Sequence, residues 1–179
     1  MSAQERAVIE LRGYRLTAVY GCLTPGDRQA IVRMWIDAGV LPPAEAQRRV
    51  TEVVVTAHDP GGSLAGVNTV YVAETPGAAG RYYFYRTYIR PAHRGVRGVP
   101  TAMLELALTI LRRHPHALAP LGVVIVAENP KLMRASVTRR LRALGFTLLG
   151  RDARGCDVWC LKFDGSTPVA PPGVIAPPQ

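Results

Sequence analysis

The sequence is poor in cysteine and in long apolar runs, and each shortage excludes a class of protein. Its three cysteines are an odd, sparse set, and Cys156 and Cys160 are spaced C-x3-C without a second pair elsewhere. Neither a disulfide framework nor a zinc site is therefore indicated. No apolar stretch reaches the roughly 18 residues that cross a bilayer, and Glu5, Arg6 and Glu10 interrupt the region where a signal peptide needs apolar residues. We expect a cytoplasmic protein with reduced cysteines, no membrane segment and no bound metal.

What is present is the composition of one globular domain. The chain has 179 residues, of which 48% are hydrophobic and 20% charged, and this length leaves little room for two independent cores. Residues 165–179 contain five prolines and no aromatic residue, a composition typical of a disordered tail. We predict an N-terminal extension over 1–13, one domain over 14–164 and a disordered tail over 165–179.

The positive charge is concentrated in the middle of the chain. The net charge is +9, yet residues 81–142 hold twelve lysines and arginines against two acids, Glu105 and Glu128, so this stretch alone carries +10. Such a field attracts polyanions: a phosphorylated cofactor, a nucleic acid or an anionic membrane surface. A solvated basic face without a dedicated ligand is the alternative, and charge alone leaves these choices open.

Hydrophobic periodicity predicts alternating helices and strands. The predicted helices start at Thr24-Pro25, at Pro43 or Ala44, at Pro100 and at about Pro130. The predicted strands cover 53–57, 64–73, 82–89, 121–127, 146–149 and 157–163. The strand–helix–strand order between 82 and 127, with an almost entirely apolar second strand, favours a parallel pair.

The segment most informative about chemistry is the junction from Ile89 to Met103. A strand there enters a basic loop with Gly95 and Gly98 and continues into a helix N-terminus. Such a junction presents unpaired N–H groups and a positive dipole end to an anion. It lacks the Gly-Lys-Ser/Thr ending of a Walker loop and the third glycine of G-x-G-x-x-G. A turn with a purely structural role is the alternative.

Two local motifs and the order of elements together resemble the GNAT superfamily of acyl-CoA-dependent N-acyltransferases, over roughly Tyr14 to Phe163. The segment Tyr88 to Gly98 is similar to the family's strand and pyrophosphate loop, R/Q-x-x-G-x-G/A. Glu128-Asn129-Pro130 followed by a helix and Leu144-Gly145-Phe146 is similar to its second motif. The resemblance implies an α/β fold with a mixed, mostly antiparallel central sheet, a parallel pair splayed at the cofactor site, and about four flanking helices.

The same resemblance implies acetyl-CoA or another acyl-CoA as co-substrate, in a V-shaped opening between the strands that end near Ile89 and Glu128. Pantetheine would pair with the backbone of Tyr88, Ile89 and Arg90. The pyrophosphate would contact the amides of Arg94, Gly95, Val96, Arg97 and Gly98, with both arginine side chains contributing charge-assisted hydrogen bonds. Asn129 is placed near the pantetheine arm, and a helix N-cap before Pro130 is its alternative role.

The sequence departs from the family pattern at three positions. Arg97 and Val99 stand where the family prefers glycines. Leu141 stands four residues before the glycine of Leu-Gly-Phe, where many members have a tyrosine that protonates the departing thiolate. A CoA thiol, with a pKa of about 8.5 like that of cysteine, leaves tolerably as a thiolate near neutral pH.

Acyl transfer to an amine requires a neutral nucleophile, a polarised thioester carbonyl and a path for one proton. Glu128, at the end of an apolar strand, is the first candidate for the general base, followed by Glu74 and His93. Tyr85 and Tyr88 are the candidates for the proton donor that Leu141 cannot be. Glu128 has the alternative role of an acid that stabilises a helix start.

The sequence therefore predicts an N-acetyltransferase that transfers acetyl from acetyl-CoA directly to an amine of a small molecule or of a protein. A catalytically degenerate acyl-CoA-binding or interaction module is one alternative, favoured by Leu141. A basic nucleic-acid-binding domain is another, although residues 81–89 lack the glycines of an RRM aromatic strand. The acceptor and the oligomeric state, monomer or homodimer, stay open.

Overall fold

The computed structural model describes residues 6–74, 80–114, 116–129 and 134–169, which form a mixed α/β fold. The strands are β1 Val8–Leu11, β2 Tyr14–Ala18, β3 Val53–His58, β4 Leu64–Glu74, β5 Arg81–Ile89, β6 Gly122–Val126, β7 Thr147–Arg151 and β8 Asp157–Lys162. They form one open sheet in the order β1-β2-β3-β4-β5-β6-β8-β7. The mixed sheet expected from the sequence is confirmed.

Four α-helices lie within the described ranges: α1 Pro25–Asp37, α2 Pro43–Arg49, α3 Val99–Arg113 and α4 Ala135–Ala143. Thr24 begins α1 with a capping box, in which its hydroxyl accepts from the Asp27 N–H and the Asp27 carboxylate accepts from the Thr24 N–H. None of the helices in these ranges is both long and apolar enough to span a membrane.

The chain divides into two compact units. The first unit comprises residues 1–70 and 86–113, and the second comprises 71–85 and 114–179. The beginning of β4 and the end of β5 lie in the first unit, and the end of β4 and the beginning of β5 lie in the second. The loop between β5 and α3 therefore belongs to the first unit, and the end of β6 to the second.

In the first unit the sheet is covered by helices on both faces. Val67 of β4 packs with Ile31, Met34 and Trp35 of α1 in a buried cluster. The next residue, Asn68, is fully buried, accepts a hydrogen bond from the Val55 N–H (2.9 Å) and donates one to the Met103 carbonyl of α3 (3.0 Å). Because neighbouring strand residues point to opposite faces, α1 and α3 lie on opposite sides of β4.

In the second unit β5 and β6 are parallel, with Tyr83 beside Val123 and Tyr85 beside Ile125. The predicted parallel pair is confirmed. β8 runs antiparallel to β6 and β7, and a buried cluster forms on one face of these strands from Tyr82, Val124, Leu149, Val158 and Cys160.

Two local expectations differ from the structure. Val8–Leu11, assigned above to an N-terminal extension, pairs antiparallel with β2. As an edge strand with Val8 50% and Ile9 37% exposed, it has no apolar alternation that would mark it in the sequence. Helix α4 begins at Ala135 rather than at about 130, with Arg134 as its extended N-cap, and residues 130–133 lie outside the described ranges. Residues 170–179 of the predicted tail also lie outside them, and the bounds of the predicted domain stay a prediction.

Candidate functional site: the loop between β5 and α3

The loop that joins β5 to α3 is compact and built by its prolines and glycines. We call residues Arg90–Gly98 the anion loop. Pro91 starts a 3₁₀ turn, Pro91–His93, because its fixed φ and missing N–H end the strand. Gly98 adopts φ +90°, a conformation natural to glycine, and its carbonyl accepts the Ala102 N–H at the start of α3 (2.9 Å).

Three N–H groups in the second half of the anion loop, between Gly95 and Gly98, are available to a ligand. The amides of Arg94 and Val96 are used within the loop, since they donate to the carbonyls of Pro91 and His93, both at 3.3 Å. Within the described ranges, the amides of Gly95, Arg97 and Gly98 have no hydrogen-bond partner. A Cβ added to Gly95 would meet no atom within 4 Å, so this part of the backbone is open to close approach.

The two arginines of the loop differ in their surroundings. The Nε of Arg94 donates to the Ile89 carbonyl (2.9 Å), and its guanidinium lies 5.9 Å from the centre of the Tyr88 ring. Arg97 is exposed, and its guanidinium makes no hydrogen bond or ion pair in the part of the chain that the structure describes. Arg97 is therefore the side chain more readily available to an anion.

The end of β5 presents backbone groups beside this loop. The Arg90 N–H donates to the Ala65 carbonyl of β4 (2.9 Å), so the N–H and C=O of Ile89 point away from β4. Arg94 holds that carbonyl, as described above, and the Ile89 N–H points to the side of β5 opposite β4. Tyr88, half-buried, packs against the α1 cluster.

The remaining predicted site residues belong to the second unit. Tyr85 is buried, with 9% of its surface exposed, in the parallel pair. Glu128 follows β6, and its side chain is 67% exposed and paired with Arg154 (Oε1 to Nη2, 2.9 Å). Asn129 is exposed; because α4 begins at Ala135, Asn129 does not cap that helix.

Glu74 and Leu141, two further residues with predicted or excluded catalytic roles, lie in different surroundings. Glu74, the second candidate base, is 72% exposed and pairs with Arg81 at 3.3 Å. Leu141 is 7% exposed on α4, and its carbonyl accepts the Phe146 N–H, so it serves as a packing residue.

His93, the third candidate base, makes contacts that the sequence does not indicate. Its Nδ1 is hydrogen-bonded to the Tyr14 hydroxyl at 2.8 Å, and its Nε2 lies 3.8 Å from Asp59 Oδ2. Tyr14 and His93 are 79 positions apart, and no local pattern signals such a pairing.

A separate polar cleft of about 340 Å³ lies over β1, β2 and β3 in the first unit. Four of its charged side chains form two pairs, Arg15 with Glu10 at 2.9 Å and Arg6 with Asp27 at 3.8 Å. Asp59 also lines the cleft, and its Oδ2 faces His93 Nε2 at 3.8 Å. Most of the charge on the walls of the cleft is therefore neutralised by pairing.

The fold is that of GNAT-type acyl-CoA N-acyltransferases. The GNAT domain of S. lividans PAT superposes with a TM-score of 0.62 at 16% identity, covering 91% of this chain and 99% of that one. A GNAT-family acetyltransferase from Listeria monocytogenes gives 0.59 at 14% identity, covering 88% and 100%. An Arabidopsis thaliana protein solved in complex with acetyl-CoA gives 0.52 at 13% identity, covering 82% and 96%. No protein-family model and no curated protein matches the sequence.

Proposed function

We propose that the protein is an acyl-CoA-dependent N-acyltransferase that transfers acetyl from acetyl-CoA directly to an amine. The anion loop carries this proposal: three available amides, an exposed Arg97 and the N-terminus of the fifteen-residue helix α3 converge on one short segment. Backbone N–H groups at a helix N-terminus favour a phosphate group, and a guanidinium adds charge-assisted hydrogen bonds.

The backbone of the anion loop fits a diphosphate. The open space at Gly95 lets phosphate oxygens approach the main chain, and Arg97 stands where the family's loop pattern prefers glycine. The Ile89 N–H would donate to an amide carbonyl of the pantetheine arm, whereas Arg94, held on the Ile89 carbonyl, would steady the start of the loop. Asn129 is a further proposed contact of the pantetheine arm.

In the proposed reaction the amine nitrogen forms a bond to the thioester carbon, the carbon–sulfur bond breaks, and the nitrogen loses one proton. The sulfur leaves as a thiol when it receives a proton, or as a thiolate when the proton passes to solvent. Tyr88 and Tyr85 are the proposed proton donors, and Glu128 is the proposed base. Arg154 engages Oε1 of Glu128 at 2.9 Å, so the other carboxylate oxygen, Oε2, is the atom proposed to accept the proton. The acceptor is a small-molecule or protein amine.

A second candidate function, acyl-CoA binding without transfer, is favoured by two observations. The position of the usual acid is the buried Leu141, and the proposed base is exposed and ion-paired. Both features are compatible with a domain that binds the carrier and does not turn it over.

The test is thiol release from acetyl-CoA with a panel of amines, followed by detection of the acylated product. An enzyme releases thiol only when an amine acceptor is present, and Glu128→Gln or Tyr88→Phe lowers the rate. Glu10→Gln is the matched control, since Glu10 is likewise an exposed carboxylate paired with an arginine, and it should leave the rate unchanged. Carrier binding without thiol release across the panel would support the second candidate.

A further inference from the structure

His93 joins the anion loop to two other parts of the first unit. It is the last residue of the 3₁₀ turn and immediately precedes Arg94. The hydroxyl of Tyr14 on β2 is hydrogen-bonded to its Nδ1 at 2.8 Å, and the two rings meet edge to face, with centres 5.8 Å apart. Tyr14 is 7% exposed, so the packed sheet fixes this side of the imidazole.

Asp59, in the turn between β3 and β4, lies on the other side of the ring. Its Oδ2 is 3.8 Å from His93 Nε2, and about a fifth of each side chain is exposed. Asp59 is itself held, because its Oδ1 accepts the Ser63 N–H (2.9 Å) and its carbonyl accepts the Gly62 N–H (2.9 Å). The carboxylate is therefore a stationary negative charge facing the imidazole.

The protonation state of His93 decides how many of these contacts hold the loop. A neutral imidazole can be held through the Nδ1 contact with Tyr14, whereas the imidazolium carries N–H groups on both nitrogens and adds the ion pair with Asp59. The charged and titratable groups around it are Tyr14 from β2, Asp59 from the β3–β4 turn and Arg94 from its own segment, whose guanidinium turns toward Ile89.

Hydrogen bonds of the His93 main chain connect the held imidazole to the rest of the loop. The His93 carbonyl accepts the Val96 N–H, and the His93 N–H donates to the Arg90 carbonyl. Fixing the imidazole therefore fixes the backbone on both sides of Arg94, including the neighbouring amides of Gly95 and Arg97.

We propose that His93, held between Tyr14 and Asp59 in an arrangement we call the clasp, is a positioning residue for the anion loop. Its protonation tightens the loop and raises the affinity of the loop for a phosphate-bearing carrier. The second statement rests on the function proposed above.

The test is calorimetric binding of CoA at about pH 5.5 and about pH 8, on either side of the ordinary histidine pKa. The variants are His93→Gln, Tyr14→Phe and Asp59→Asn, and His58→Gln is the matched control because His58, on β3, is half-buried and outside the clasp. We expect the ratio of the two affinities to be about fivefold larger in the wild type than in His93→Gln, at the lower end of typical coupling between sites. The control should keep the wild-type ratio, and an equal ratio in the wild type and His93→Gln overturns the proposal.

Hydrogen exchange in the protein without ligand separates this inference from the proposed function. After correction for intrinsic rates, the hydrogen-bonded amides of His93, Arg94 and Val96 should exchange faster in Tyr14→Phe and Asp59→Asn than in the wild type, with the difference for Asp59→Asn confined to the lower pH. If CoA does not bind the wild type but this pattern is found, the proposed function fails and the clasp stands. If CoA binds and loop exchange is the same in all variants, the clasp is wrong and the proposed function stands.

Discussion

Replacing Gly66 by alanine should both destabilise the protein and weaken carrier binding. Gly66 lies on β4 opposite the end of β5, and a Cβ built there would be 2.7 Å from the Tyr88 carbonyl oxygen and 3.1 Å from Ile89 Cα. Both are backbone atoms that cannot rotate away. The first distance is 0.7 Å less than the 3.4 Å at which ordinary contact begins, so the end of β5 must move.

The size of the effect follows from overpacking in a close-packed sheet. An added methyl that forces a backbone shift costs about 1–3 kcal/mol, and for a chain of this length each kcal/mol lowers the melting temperature by roughly 2–4 °C. We therefore expect Gly66→Ala to melt roughly 2–12 °C below the wild type. Because Tyr88 and Ile89 lead directly into the anion loop, CoA affinity measured by calorimetry should fall as well.

Gly26→Ala is the matched control. Gly26 lies in the first turn of α1, and the nearest atom to its added Cβ would be Thr24 Oγ1 at 3.9 Å, an ordinary contact. Since alanine is the better helix former, this variant should melt at or above the wild-type temperature and bind CoA normally. A Gly66→Ala protein with wild-type melting temperature and affinity would refute the reasoning from close approach.

Two further substitutions and one chemical modification experiment have defined outcomes. Asn68→Leu removes two buried hydrogen bonds that join β3 and α3 and should lower the unfolding free energy by about 2–4 kcal/mol in urea titrations; an unchanged midpoint would contradict this. Burial raises the pKa of the Cys160 thiol to about 11, so at about pH 8 the exposed Cys22 should react with a thiol reagent, while Cys160 reacts only after unfolding. The stability that depends on a protonated Cys160 is complete below its unfolded pKa of about 8.5 and is lost as the pH rises toward 11. Early modification of Cys160 in mass spectra would argue against its burial. Arg97→Ala should weaken CoA binding about tenfold or more with no change in melting temperature, whereas Arg113→Ala, the same charge change at the other end of α3, should alter neither; equal affinities in the two variants would remove Arg97 from the site.

The elements with local signals could be predicted from the sequence. The Thr24-Pro25 start of α1 depends on a capping hydroxyl and a proline that act within one turn. The parallel pairing of β5 and β6 follows from an apolar strand that comes after a crossover helix. The junction of strand, glycine loop and helix could also be predicted, because its parts are contiguous in the chain.

The contacts that shape the candidate site could not be predicted in the same way. The hydrogen bond between Tyr14 and His93 joins residues far apart in sequence, and it exists only because the sheet places β2 beside the loop. The use of the Arg94 and Val96 amides within the loop depends on a 3₁₀ turn of three residues, which has no periodicity to detect. By contrast, the packing role of Leu141 could be predicted, because this residue falls on the apolar stripe of α4.

The measurement that tests the account most directly is a calorimetric titration of the wild-type protein with CoA and, in parallel, with pantetheine, which lacks the diphosphate. We predict that CoA binds one-to-one, raises the melting temperature and loses affinity as salt screens its phosphates, whereas pantetheine binds far more weakly. Absence of heat and of thermal stabilisation with CoA, or equal affinity for the two compounds, would contradict the assignment of the anion loop as a diphosphate site.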